Sequence, residues 1–444
     1  MLIRLNIGNF LSFNEIQEFS MIAGKVRKNN DRVYEGQNIK LIKFASIFGA
    51  NASGKSNLVK VFRFARQLIV HKFPDNFVNS YCKINKENKE KISYFDFEIK
   101  IDNKYYSYGF EIVLNTQQVK SEWLYEISKT KDKVIFERQV EKGEYIVDKY
   151  FMNSDINKKL DIYANDVREK DSVLFLKVLN RDKDSFYIDH PQAKVFNKVY
   201  QWFRNSLDVT YPNQPLHDFS FLLRNDDLIK LGNYLKVFKT GISKISRKEV
   251  LINQIKMELE PSLIKRIEKQ LNDDINNDKQ DRGHGIFLRA QNKGYYFFTK
   301  DNDISKYEKI EFYHDNTDIP FELFEESDGT IRLIDLISIL LNKVENRTFI
   351  VDELDRCLHP QLTRRFISEF LNIAREKNNQ LIVTSHESRL LNFDLLRKDE
   401  IWFTDKNEIG ETRIYSLDEF NERFDKKIDT AYLEGRYGAV PIFE

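Results

Sequence analysis

An α/β fold is predicted: a mixed sheet with an antiparallel β-subdomain, interrupted by a mostly helical insertion. Three observations predict it. Residues 41–48 form an apolar run that passes through a glycine-rich turn into a helix with an apolar stripe. Phe95, Phe97, Ile99 and Ile101 alternate with polar residues, Asp102-Asn103 offers a turn, and Tyr106, Tyr108, Phe110 and Ile112 resume the alternation. After residue 330, apolar strands and amphipathic helices take turns, which is the rhythm of a parallel sheet.

Taken in order, residues 1–6 read as a strand and lack the charged head and long apolar centre of a secretion signal. The helix after the turn sets Leu58, Val61, Phe62, Ala65, Leu68 and Ile69 on one stripe. Short alternating runs at 123–125 and 134–136 extend the hairpin into an antiparallel meander, closing a first part at 1–154. Residues 155–325 are expected to be the mostly helical insertion, with helices over 195–207 and over 242–271, the latter broken by Pro261. Its most polar stretch, 272–285, is expected to be a mobile tip; it matches an EF-hand only in acidity. The last part, 326–444, is expected to carry a helix from Ile331, a strand 348–351, a helix from Gln361 and strands 381–384 and 401–404. No repeat of fixed period and no sustained heptad occurs.

Composition narrows the function classes. With 70 Lys plus Arg against 69 Asp plus Glu, net charge +1, there is no global attraction to nucleic acid or anionic membrane. Only Cys82 and Cys357 occur, which fits a reducing cytoplasm and excludes a disulfide framework. The longest near-apolar run, 333–341, is too short to span a bilayer, so no membrane partner is expected.

The chemistry concentrates in a few motifs. Gly49-Ala50-Asn51-Ala52-Ser53-Gly54-Lys55-Ser56, followed by Asn57, is a P-loop in its strand–loop–helix context. Its amides would cradle a polyphosphate, Lys55 would neutralise the outer phosphates, and the Ser56 hydroxyl would reach Mg2+. The strand 348–351 ends in Asp352-Glu353, a Walker B form: Asp352 for the metal shell, Glu353 to polarise the attacking water. The strand 381–384 ends in Ser385-His386, placing His386 beside the Walker B strand and within reach of a terminal phosphate. Ser327-Asp328-Gly329-Thr330 precedes a helix and offers a hydroxyl and helix N-terminal amides; alone it reads as an ordinary cap. Thr404-Asp405-Lys406-Asn407 does not give the guanine-reading order Asn-Lys-x-Asp, so adenine is the expected base.

In this order, the P-loop, the Ser-x-Gly-Thr signature, Val351-Asp352-Glu353-Leu354-Asp355 and Ser385-His386 resemble the ABC-type ATPases of the SMC, RecF and OLD branch. Asn9-Phe10-Leu11-Ser12-Phe13 resembles that branch's first-strand motif, and Leu358-His359-Pro360 its segment after Walker B. The tail 432–441 resembles that of compact ATPases from bacterial abortive-infection and anti-phage systems, such as AbiLi and AriA of PARIS. The resemblance implies a P-loop NTPase head of ABC type that binds ATP and Mg2+. It implies a homodimer through ATP-sandwiched heads, open to higher assembly, in which Lys55, Asp352, Glu353 and His386 of one protomer face Ser327 and Gly329 of the other, with Asp355 between them. Gln117 and Gln118 are candidates for a Q-loop glutamine. Long arms and a zinc-hook cysteine pair, present in the best-known members, are missing here.

Two functions follow. The first is an ATPase switch of anti-phage defence controlling a separately encoded effector of nuclease type, since this chain carries no nuclease constellation. The second is a RecF- or SMC-like DNA-repair ATPase touching DNA through basic clusters at 25–28, 244–248 and Arg364-Arg365. A transporter subunit fits less well because of the large insertion.

Overall fold

A computed structural model describes residues 1–26, 28–140, 142, 144–146, 150–168, 170–212, 225–277, 285–290, 294–301, 304–315, 317–420 and 427–440. The chain divides into two compact units, Met1–Gln214 with Val344–Asp355 and Ile367–Glu444, and Pro215–Lys343 with Arg356–Phe366.

In the first unit, β1 (Leu2–Gly8) and β2 (Gln17–Ser20) join a seven-stranded antiparallel sheet with β6 (Ser93–Ile101), β7 (Lys104–Val113), β8 (Gln118–Ile127), β9 (Lys133–Gln139) and β10 (Glu144–Ile146). Its order is β10-β9-β8-β7-β6-β1-β2, and a small ladder of β3 (Tyr34–Glu35) and β4 (Lys40–Leu41) lies apart from it. The expected hairpin forms with Asp102 at φ 51° in its turn. A six-stranded sheet runs in the order β11-β16-β17-β5-β18-β19. It contains β5 (Phe44–Phe48), β11 (Leu207–Thr210), β16 (Thr348–Val351), β17 (Gln380–Thr384), β18 (Ile401–Lys406) and β19 (Thr412–Ser416). All its neighbours are parallel except β18 and β19.

Helix α1 (Lys55–Val70) has buried side chains on most of its circumference because it packs into one core with both sheets. Phe62 meets Phe97 of β6, Phe64 meets Phe95, and Val61, Ile350 and Ile382 belong to the same cluster. Each large apolar side chain buried there contributes roughly 1.5–3 kcal/mol, so α1 fixes the glycine-rich turn at its head to a rigid body.

The segment expected as a helical insertion divides differently. Helices α2 (Ser154–Asn165), α3 (Phe175–Leu179), α4 (Asp184–Asp189) and α5 (Lys194–Gln201), then a π-helical turn Trp202–Ser206, belong to the first unit, and Leu207 already begins β11. Glu122 of β8 accepts the amides of Phe175 (2.5 Å) and Leu176 (2.9 Å) and the Tyr108 hydroxyl (3.0 Å). Arg138 of β9, beside Glu122, donates to the carbonyls of Val167, Lys170 and Val173. Buried charge on the sheet thus caps and holds the helical segment.

The second unit contains α6 (Asn225–Val237) and an antiparallel sheet, β12-β15-β14-β13, formed by β12 (Ile242–Glu249), β13 (Gly285–Ala290), β14 (Gly294–Asp301) and β15 (Ile304–His314). Residues 242–249, expected as helix, are therefore an edge strand, and the helical part of 242–271 begins only with α7 (Ile252–Glu258). Helix α8 (Pro261–Asn277) follows; Pro261 starts a helix rather than merely breaking one, as its missing N–H and fixed φ allow at the first position. Ile255, Leu259, Ile264, Ile267 and Leu271 cover one face of the sheet against Tyr296 and Phe298. Of the expected mobile tip, 272–277 is the end of α8, and 278–284 lies outside the described residues. Helix α9 (Asp328–Leu341) belongs here, and α10 (Pro360–Glu376) and α11 (Ile428–Leu433) complete the chain's helices among the described residues.

Candidate phosphate-binding site

The strands expected to build the site lie in the order β16-β17-β5, so the strand leading to His386 separates the P-loop strand from the strand ending in Asp352 and Glu353. All three are parallel, which brings their C-terminal ends to one edge.

The loop 49–54 turns because its backbone takes conformations most residues avoid: Ala52 has φ 63° and Gly54 φ 117°. At Gly54 a Cβ would also run into the Thr412 side chain. Lys55 is 4% exposed and donates to the carbonyls of Gly49 (2.6 Å) and Ala50 (2.8 Å). Burial lowers its pKa to about 8, against the upward pull of Asp352, Asp355 and Glu353. Asn51 and Ala52 stand exposed at the loop's tip, and Ser53 is buried.

The Ser56 hydroxyl donates to Asp352 Oδ1 at 3.1 Å, so the two residues expected to hold a metal are in contact. Among the described residues no group of three or more His, Cys, Asp or Glu could hold a metal ion. A hydroxyl and one carboxylate suit a hard cation such as Mg2+ that takes the rest of its shell from phosphate and water, and the donor set fits that use. Glu353 adopts φ 47°, with its amide donating to Thr384 Oγ1 at 2.8 Å. The Asp352 amide donates to Thr210 O of β11 at 2.9 Å, so the strand leaving the helical segment ends at the acidic pair.

The His386 amide reaches both Asp355 oxygens at 3.3 Å. Partial burial and then the Lys55 ammonium hold the imidazole below its ordinary value, which leaves it neutral at pH 7. A neutral ring can accept from a water or donate to a phosphate oxygen. His386 thus belongs to the group around Lys55, Asp352, Glu353 and Asp355.

Several supports carried no sequence signal. Ser53 shares a hydrogen bond with Thr404 at 2.7 Å, and Thr412 Oγ1 lies within bonding distance of Ser53 O (2.8 Å) and Ser12 Oγ (2.7 Å). Asn57 donates to Ser12 Oγ at 2.8 Å. The first-strand motif therefore acts as a brace: Ser12 steadies the P-loop, while Asn9, at φ 47°, donates to the carbonyls of Asn88, Lys91 and Ile92 and accepts from the Cys82 amide. Thr404 and Thr412 reach the loop through strand pairing over more than 350 residues, which no local pattern encodes. Ser12, Ser53 and Asn57 fall within motifs legible in the sequence, and Thr384 had a local cue as the strand residue two before His386.

In the tail, Tyr432 stacks on Phe403 (5.5 Å) and also meets Phe48, packing against the end of β5 that leads into the P-loop; Pro441 lies outside the described residues. Asn407 is engaged with Glu411, donating at 2.8 Å and accepting at 2.9 Å. Gln117 lies in the turn between β7 and β8, and Gln118 opens β8, where its side chain accepts from the Thr116 hydroxyl.

Ser327 and Gly329 belong to the second unit. Ser327 caps α9, accepting the Thr330 amide at 3.1 Å, and the preceding Glu326 is tied to His314 of β15 at 2.8 Å. A Cβ at Gly329 would stand 2.7 Å from Cys357 O, so the helix start and the segment after Asp355 approach too closely for a side chain.

Four side chains of the basic clusters are engaged. Lys248 pairs with Glu311 (3.1 Å), Arg247 with Glu308 (3.9 Å), Lys244 lies over Tyr313, and Lys28 pairs with Asp394 (2.9 Å). Arg27 lies outside the described residues, and Arg364 and Arg365 are exposed. No helix among the described residues is long and apolar enough to cross a membrane.

A protein-family model described as "AAA domain, putative AbiEii toxin, Type IV TA system" matches residues 44–392. No curated protein matches the chain. Among solved structures, an SMC head bound to the C-terminal winged-helix domain of ScpA is similar with 13% identity and TM-score 0.43, covering 94% of this chain and 97% of that one. An SMC head domain from Thermotoga maritima is similar with 12% identity and TM-score 0.35, covering 94% and 98%.

Proposed function

The chain belongs to the AAA family of that description, and from this premise we propose that it is an ATP-binding and ATP-hydrolysing switch of ABC type, acting as the ATPase component of a bacterial anti-phage or abortive-infection system. The observation that carries the reading is the Ser56–Asp352 hydrogen bond, which joins P-loop and Walker B strand through two groups suited to one cation. When bound, Mg2+ would supply charge neutralisation on the β- and γ-phosphates. The chain's own residues do the rest. Loop amides and Lys55 bind and orient the phosphates, Asp352 and Ser56 would hold the metal, and Glu353 accepts the proton of the attacking water. His386, neutral at pH 7, orients the terminal phosphate from the end of β17.

The ordered motifs also support pairing of two copies, with Ser327 and Gly329 completing the partner's site, Asp355 between them, and hydrolysis releasing the pair. The family description and the resemblance of the tail support a place in abortive infection, with a separately encoded effector. The engaged basic side chains count against the DNA-repair reading, since a lysine already paired with a carboxylate has less charge to offer a phosphate.

The test is ATP turnover by the unaltered protein, Lys55→Ala and Glu353→Gln, with nucleotide affinity measured alongside. Lys55→Ala is expected to bind ATP weakly, and Glu353→Gln to bind normally while turning over at least about a hundredfold more slowly. Equal turnover in Glu353→Gln and the unaltered protein would remove Glu353 from catalysis.

A further inference from the structure

We propose that Thr384 is a positioning residue that links the metal carboxylate to the hydrolytic carboxylate, so that a shift of Asp352 is passed to Glu353 through one hydroxyl. This inference rests on the ATPase reading. A hydroxyl has one proton to give and lone pairs to accept with. Thr384 Oγ1 gives its proton to Asp352 Oδ1 at 2.6 Å and accepts the Glu353 amide at 2.8 Å. Its backbone carbonyl accepts the Leu354 amide at 3.0 Å, so the end of β17 holds three consecutive residues of the acidic turn. Thr384 is 1% exposed, so no solvent competes for the hydroxyl.

The backbone at Glu353 gives this hydroxyl its importance. A glutamate at φ 47° occupies a region that non-glycine residues seldom visit and that persists only where the surroundings impose it. The bond from the Glu353 amide to Thr384 is such an imposition, and it sets the direction in which the Glu353 side chain leaves the strand. Asp352 Oδ1 meanwhile receives two hydroxyls, from Thr384 and from Ser56 of the P-loop. Any rearrangement at Ser56 and Asp352 as phosphates and cation arrive must change what Thr384 donates to, and hence how firmly it holds Glu353. The strand carrying His386 would then serve two purposes: presenting the histidine and tying metal site to base.

The experiment compares the unaltered protein with Thr384→Val, which keeps the shape without the hydroxyl, and Thr384→Ser, which restores it. Three readings are taken: kcat and KM for ATP, ATP affinity without Mg2+, and the rise in melting temperature that Mg2+ adds to protein already loaded with a non-hydrolysable ATP analogue. Thr384→Val is expected to keep its Mg2+-free affinity within about twofold, lose about tenfold or more in kcat, and lose most of the Mg2+-dependent rise. Thr384→Ser should recover all three. A Thr384→Val variant with unchanged kcat and an unchanged Mg2+ increment overturns the inference. So does equal failure of Val and Ser variants, which would mark a packing role.

Should Thr384→Val not fold, Thr384→Cys takes its place, being close in volume with only a weak donor, and the same losses are expected of it. An unaltered protein that does not turn over ATP would overturn the ATPase reading instead, and the Mg2+ increment would still decide whether Thr384 governs Asp352.

Discussion

At Lys55, burial pulls the ammonium from 10.5 down to about 8 although three carboxylates favour its charge. A polyphosphate in the loop favours the charged form further, so the nucleotide-bound pKa must lie above the free one. The sign follows: ATP binds best below pH 8, where the lysine is already charged, and affinity falls as pH rises through 8 because binding must then recruit a proton. Calorimetry of ATP binding at pH 8 in two buffers of different ionisation heat should reveal proton uptake, absent in Lys55→Met. Identical heats in both buffers for the unaltered protein would contradict the placement of Lys55 against phosphate. In the nucleotide-free protein the same shift means that the unfolded chain holds its proton to a higher pH than the folded one. Stability therefore gains as pH rises from about 8 to 10.5 and carries the full cost of the buried charge below 8.

Among elements, the docking of α3 on the antiparallel sheet rests on Glu122, which is fully buried and answers two helix amides, a tyrosine and the neighbouring Arg138. Removing it leaves the buried Arg138 guanidinium without its neighbouring carboxylate and two amides without an acceptor, at about 3–5 kcal/mol. Glu122→Ala should lower the unfolding free energy by that amount in a denaturant titration, while Glu122→Gln, which can still accept, should lose less; equal losses would indicate that charge rather than hydrogen bonding secures the helix. Nothing local in the sequence announces this clamp, since Glu122 and Arg138 face the core from a region that alternates like any other hairpin. By contrast β5, α1, β16 and β17 were legible because each combines a clear period with a functional turn at its end. β12 was misread for a physical reason. Ile242 and Ile245 are three apart, as on a helix, and the charged Lys244, Arg247, Lys248 and Glu249 find partners on β15 or face solvent, as suits an edge strand. At the site, the loop and both acids could be read directly, whereas Thr404 and Thr412 could not, because their roles arise from distant strands pairing beside the loop.

For the whole molecule, the question is whether one chain makes a complete site. P-loop, acidic pair and His386 lie in the first unit, and Ser327 and Gly329 in the second. If the signature completes the site of a second copy, then ATP with Mg2+ should shift Glu353→Gln from the mass of one chain to that of two, while nucleotide-free protein stays single. Ser327→Arg should abolish the shift yet keep ATP binding by the single chain. Because Ser327 also caps α9, its loss alone costs about 1 kcal/mol of helix stability, and a failed shift could reflect a frayed helix rather than a blocked surface. Ser327→Ala separates the two, since it removes the cap without adding bulk or charge. A dimer with Ala and none with Arg places Ser327 at the contact between copies. Loss of the dimer in both leaves only the cap, and a dimer in both removes the signature from the interface and with it the composite site.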